Sequence, residues 1–359
     1  MRPKGGNGMN DFFEYELGKA SAVLIEELFK LKQGESLVIT CDTESDMRVV
    51  DATARMAFAV GGKPMVLRTA APLGVGRQTD SFLPVGPLRG ALKNADCWVE
   101  FNKHYLLYSD TWQTVTSENP RLRYLCLPAM NVDVFVRLFA RVGQQLLADF
   151  LGKVAATIGK ARHVRLVTAA GTDVSFENAP THPVLPRTGY ADTPGTHMLA
   201  GMIAWAPAFE TIDGVLVLDG SIVPQIGILS QPVKVRLRHG EIQAMEGGRE
   251  ADEWGSWLRS FDDPQMLRVA HVSCGFHPGA RLTGQIGEDE RIWGGCQWGF
   301  GAVASYLTPP RGTPAASHTD AISLKCSIWL DGRQITDLGR VVDRDLAVLA
   351  GALKPGEGR

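Results

Sequence analysis

The sequence predicts an α/β N-terminal domain with a mostly parallel sheet, followed by a β-rich α+β C-terminal domain. Three observations predict it. Apolar runs of strand length alternate with segments of helical periodicity through the first 160 residues. Beyond that point short strands follow one another with few helices between them. Turn dipeptides such as Ala170-Gly171, Asp219-Gly220 and His239-Gly240 separate them. The boundary is placed near residue 162, giving domains 1–162 and 163–359.

Residues 12–31 carry apolar side chains at helical spacing with charges between them. The run 36–41 (SLVITC) is short, apolar and rich in β-formers, as expected of a buried strand. Helical spacing returns over 46–60 and stops at Gly61-Gly62. Further strands are expected at 63–68, 96–101 and 124–127, then one long amphipathic helix over 132–160. Strands separated by helices imply parallel pairing with helices on the sheet faces. In the second half, strands are expected at 164–167, 173–176, 214–218, 233–238 and 241–245. A hairpin should join 324–330 to 333–338 through Asp331-Gly332. The stretch 307–317 (LTPPRGTPAAS) reads as a Pro/Gly/Ser-rich loop.

The 359 residues have a formal net charge of -2, so no overall field favours nucleic acid or an anionic membrane. No apolar stretch reaches the length of a membrane span, and the polar, Gly-rich 1–10 lacks the core of a signal peptide. That stretch and 354–359 read as frayed tails. The six cysteines form no CxxC pair, which argues for reduced, buried thiols. A cytoplasmic location and a homo-oligomer are expected. There is no GxGxxG after a strand, no phosphate-binding P-loop, no GxSxG elbow and no HExxH helix.

The sharpest local signal is Ser317-His318-Thr319-Asp320. In a strand, residues i and i+2 share a face, so His318 and Asp320 project side by side at a spacing that can grip one metal ion. A surface histidine bonded to a neighbouring aspartate has the same pattern. His271, in a short strand of small residues, completes a set of two histidines and one carboxylate. Such a set occupies one face of a metal and suits non-haem Fe(II) oxygenases; zinc also accepts three such ligands plus water. The segment 287–295 (GEDERIWGG) offers Glu288, Asp289 and Glu290, as a salt-bridged turn, as groups supporting the metal ligands, or as a further metal site. His197 closes a Gly/Pro-bounded loop and, as an imidazole, can move protons near neutral pH. Trp205, Trp293 and Trp298 are candidate apolar walls, or simply core.

With these segments in hand, the chain resembles the aminopeptidase T-like superfamily, and within it the 2,5-dihydroxypyridine 5,6-dioxygenases. The resemblance rests on GYADTPG at 189–195 with His197 after it, DGVLVLDGSIV at 213–223, AHVSCGFHPGARLTG at 270–284 and SHTDAISL at 317–324. Where the aminopeptidases place a metal-binding glutamate this chain has His271, and where they place a histidine it has Gln297. The dioxygenases use a His followed by a His-x-Asp, which His271, His318 and Asp320 match. The resemblance thus implies one Fe(II) on those three residues, a small aromatic substrate and O2 as partners, and His197 as an acid/base group. The second histidine that the dioxygenases carry in their first domain aligns here with Tyr108, with His104 nearby. The 288–295 segment departs toward the peptidase branch, and the loop before His197 is shorter. The expected activity is ring-opening dioxygenation of a hydroxylated N-heteroaromatic, at an active site between the domains. The alternatives are a two-metal aminopeptidase using Glu288 or Glu290, and a member that binds its ligand without catalysis.

Overall fold

The computed structural model describes residues 13–74 and 76–353. The expected tails therefore lie outside the described residues. The chain divides into two compact units, Met1–Gly143 with Gly189–Leu199, and Gln144–Thr188 with Ala200–Arg359.

The first unit is built on a five-stranded sheet, in the order Lys63–Thr69, Ser36–Asp42, Cys97–Glu100, Arg123–Cys126 and Gly195–Met198. Every pairing in it is parallel. Its central strands are buried along their length, as expected of a sheet covered on both faces. Capping fixes the helix starts: Asp46 accepts from the Arg48 amide, Ser109 from that of Trp112, and Asn131 from that of Val134. Trp98 stacks on Tyr124 with ring centroids 4.0 Å apart at the centre of the core.

The second unit holds an eight-stranded and a seven-stranded sheet, and every strand pair in them is antiparallel. Phe176 of the first sheet packs edge-on against Trp298 of the second at 6.3 Å and lies 6.2 Å from Trp205, so the two faces share one core. The expected hairpin forms between Ser327–Leu330 and Arg333–Asp337. Both of its turn residues, Asp331 and Gly332, have positive φ.

Two expectations are corrected. The single long helix is two segments: the first ends at Ala140, and Gln144–Lys160 follows after a break at Arg141-Val142-Gly143. The compact units divide at that break, and the apolar face of Gln144–Lys160 (Leu147, Phe150, Leu151, Val154, Ile158) is buried within the second unit. Residues 189–194 are loop as expected, and His197 lies on the strand Gly195–Met198 that follows, which returns to the parallel sheet. The Pro-rich stretch is loop only in part, since Thr313–Ser323 is one continuous strand.

Candidate metal centre

Three adjacent strands of the seven-stranded sheet carry the site: Val269–Gly275, Cys296–Val303 and Thr313–Ser323. Their register places His271 opposite Gly299, and Gly299 opposite Asp320, in one row across the sheet. His318 sits two residues along, opposite Gly301. Strand alternation puts Gln297, Gly299 and Gly301 on this face and sends Trp298 and Phe300 into the core behind it. The middle strand thus offers no side chain between the flanking imidazole and carboxylate. An ideal Cβ on Gly299 would lie 2.0 Å from His271 Nδ1 and 3.0 Å from His318 Cε1.

The three side chains form the group of His, Cys, Asp and Glu that can hold a metal ion among the described residues, one ligand atom from each lying within 4.8 Å of the others. The two imidazoles stack at 5.3 Å with their planes 19° apart. His271 Nε2 is 3.7 Å and His318 Nε2 is 3.1 Å from Asp320 Oδ1. The side chains are recessed, with 12%, 31% and 14% exposure for His271, His318 and Asp320. Neighbours orient them. His318 Nδ1 contacts the Ala302 carbonyl at 2.8 Å; donating there, it points Nε2 at Asp320 Oδ1, the nitrogen a metal would take on losing its proton. Gln297 Nε2 donates to Asp320 Oδ1 at 2.7 Å. The Gln297 Oε1 and the Ser273 Oγ opposite it are buried without hydrogen-bond partners.

The electrostatics suit cation binding. Burial, with help from the nearby His318 and Arg187 charges and against the pull of Asp320, lowers the His271 pKa to about 4, so the ring is neutral at neutral pH. For His318, burial opposes protonation, but the Asp320 carboxylate and the Ala302 carbonyl outweigh it and the pKa is raised. Burial disfavours the Asp320 anion, yet the two imidazoles and the Gln297 amide hold its pKa below the usual carboxylate range. Two imidazoles and one carboxylate make a donor set for a divalent transition metal, which on binding displaces the proton favoured on His318.

The acidic segment 288–290 divides its roles. Glu288 Oε1 accepts from the Arg281 amide, and Asp289 accepts from the amides of Thr283 and Gly284 and from the Ser221 hydroxyl, so both organise the 281–284 loop. Glu290 pairs with Arg291, and its charge reaches His318. Neither Glu288 nor Glu290 joins the three-residue group. Trp205 and Trp298 belong to the core, at 1% and 0% exposure, and the half-buried Trp293 stacks on Phe150 at 5.4 Å.

The remaining candidates, His104, Tyr108 and His197, belong to the first unit. His104 and Tyr108 lie on the 101–109 segment, at the carboxyl end of the parallel strands, where ligand sites of such sheets collect. Tyr108 has φ 71°, a strained value for a tyrosine, and packs edge-on against Trp112 at 5.7 Å. Glu100 and Asp42 pin this segment by accepting the Leu106 amide at 2.5 Å and the Lys103 amide at 2.7 Å. His197, paired in register with Leu125, has its Nε2 2.8 Å from the Thr193 carbonyl. Gly299, Gln297 as an orienting group, and Glu100 had no signal in the sequence as site residues, because their importance comes from pairing register and burial.

A parallel α/β unit and a unit of antiparallel strands match the aminopeptidase T-like class of fold. The family described as 2,5-dihydroxypyridine 5,6-dioxygenase matches residues 23–343, and the chain belongs to that family. The 2,5-dihydroxypyridine 5,6-dioxygenase of Pseudomonas putida KT2440 is 26% identical over 343 residues, covering 88% of this chain and 93% of that protein. The solved structure of 2,5-dihydroxypyridine dioxygenase from Pseudomonas putida KT2440 matches with a TM-score of 0.74 at 20% identity, over 93% of this chain and 99% of that one. Wild-type AmpT, the aminopeptidase T from Thermus thermophilus, matches with a TM-score of 0.64 at 14% identity, over 92% of this chain and 100% of that one. These two structural likenesses show the fold.

Proposed function

We propose that this protein is a ring-opening dioxygenase of a hydroxylated N-heteroaromatic such as 2,5-dihydroxypyridine, with one Fe(II) held by His271, His318 and Asp320. The observation that carries the reading is the row His271, Gly299, Asp320 with His318 beside it, oriented by Ala302 and Gln297. The ligand set fits a single divalent ion, and the bare Gly299 makes room for the His271 ring within it. When bound, Fe(II) would supply redox chemistry and open coordination positions, which three protein ligands on one face leave available.

The chain's own residues do the rest. His271 presents a neutral nitrogen because burial keeps it unprotonated. Ala302 fixes the His318 tautomer, and Gln297 holds the Asp320 carboxylate in place. His197, with Nε2–H donating to Thr193, takes the proton of a ring hydroxyl on Nδ1 and so raises the electron density of the ring. Tyr108 or His104 orients the ring or returns a proton. The aminopeptidase alternative needs a second metal, and Glu288 and Glu290 do not enter the ligand group.

The test is anaerobic reconstitution with Fe(II), followed by oxygen uptake on adding 2,5-dihydroxypyridine, with metal counted per chain. Oxygen consumption with a single iron supports the reading. Two metals per chain with release of amino acids from peptides, and no oxygen uptake, would overturn it in favour of peptide hydrolysis.

A further inference from the structure

Arg187 ends the edge strand Leu185–Arg187 of the sheet that carries the metal centre. Its backbone is fixed by pairing with Met202 and by the Gly201 amide, which donates to the Arg187 carbonyl. Its guanidinium lies over the Tyr306 ring, 4.6 Å from the centroid, a stacking that holds the plane of the fork. Its Nε and Nη2 are buried and have no hydrogen-bond partner among the described residues. The register row Arg187, Met202, Gly275 puts Arg187 on the face of the sheet that carries His271, since Gly275 and His271 are an even number of residues apart on one strand. Glu290 is already paired with Arg291, and no carboxylate among the described residues forms an ion pair with Arg187.

A buried cation with unmade hydrogen bonds is costly, and it persists where something outside the chain completes it. The Nε–Nη2 edge of a guanidinium presents two parallel N–H groups at the spacing of a carboxylate's two oxygens. We propose that Arg187 is the specificity-determining residue of this site, and that the preferred substrate is a hydroxylated N-heteroaromatic bearing a ring carboxylate, gripped by the Nε–Nη2 edge. The assignment rests on the reading of the site given under the proposed function. A lysine could not replace the arginine fully, because its point charge lacks the planar fork.

The test is equilibrium binding by calorimetry to the full chain loaded with Zn(II), which needs no turnover. Two probes differ by the carboxylate alone: 6-hydroxypyridine-3-carboxylate and 2-hydroxypyridine. The wild type is expected to bind the carboxylate roughly tenfold more tightly or better, the worth of a charge-assisted pair. Arg187→Met should erase that preference while leaving 2-hydroxypyridine binding within about twofold, and Arg187→Lys should retain part of it. Equal affinity of the wild type for both probes, or binding of neither, overturns the proposal even if the methionine variant fails to fold. A preference that survives in Arg187→Met overturns it as well. Equal weakening of both probes would put Arg187 on a ring oxygen and overturn the carboxylate assignment. Oxygen uptake by the Fe(II) form with 2,5-dihydroxypyridine, run alongside, reports on the dioxygenase reading separately, so the two can fail independently.

Discussion

Gly299 faces His271 across one strand pair and Asp320 across the other, and an ideal Cβ there would fall 2.0 Å from His271 Nδ1. Gly299→Ala therefore cannot be accommodated without turning the imidazole away. The expected result is a loss of metal affinity of at least about tenfold, measured by competition with a chromophoric chelator. Wild-type affinity in that variant would remove His271 from the ligand set. Gln297→Leu asks a milder question, because it deletes the donor to Asp320 and leaves the strand intact. It should weaken metal binding by about 10- to 100-fold, with the melting temperature of the metal-free protein little changed. His318→Ala should abolish metal binding and turnover together. Retained activity in that variant would end the metal-centre reading.

At the scale of elements, the 101–109 segment depends on a carboxylate. Glu100 is fully buried and accepts the Leu106 amide and the Tyr124 hydroxyl. Burial, against the lowering effect of those two hydrogen bonds, raises its pKa to about 7 from 4.5. The folded protein therefore binds this proton more tightly than the unfolded chain. Its contribution is fully present below about pH 4.5 and is lost as pH rises toward 7, a span worth roughly 3 kcal/mol. Glu100→Gln should flatten the pH dependence of stability over that window in urea melts at pH 4.5 to 7.5. An unchanged slope would show that Glu100 is not the group responsible.

The elements also show which features were legible in the sequence. Period-two spacing correctly put His318 and Asp320 on one face, and Asp331-Gly332 marked its hairpin. The break at 141–143 was hidden because apolar spacing continues on both sides of it. The return of Gly195–Met198 to the parallel sheet was hidden because a four-residue strand carries too little pattern to name its partner. Register decided the rest. Nothing local announces that Gly299 lies opposite both His271 and Asp320, or that Trp298 turns to the core.

At the scale of the whole molecule, no helix among the described residues is long and apolar enough to cross a membrane. The proposed metal ligands all belong to the second unit, so metal binding should stabilise the folded chain. At a free metal concentration about a hundredfold above Kd, the gain is roughly 2.7 kcal/mol. Its pH dependence follows from the ligands. His271, with a pKa lowered to about 4, is already neutral, and Asp320 is already ionised. His318 alone has a raised pKa, so a proton held there competes with the metal. In the metal-free protein that proton stabilises the fold below the ordinary imidazole pKa, and this contribution is lost as pH rises through the raised value. Metal and proton thus work in opposite directions. The rise in melting temperature on adding Zn(II) should be small at pH 6 and grow toward pH 8, with about one proton released per metal bound at the lower pH. Calorimetry in two buffers of different ionisation enthalpy measures that release. An increment that stays flat from pH 6 to 8, with no proton released, would mean that the metal is not displacing the His318 proton from Asp320, and the ligand set would have to be redrawn without His318.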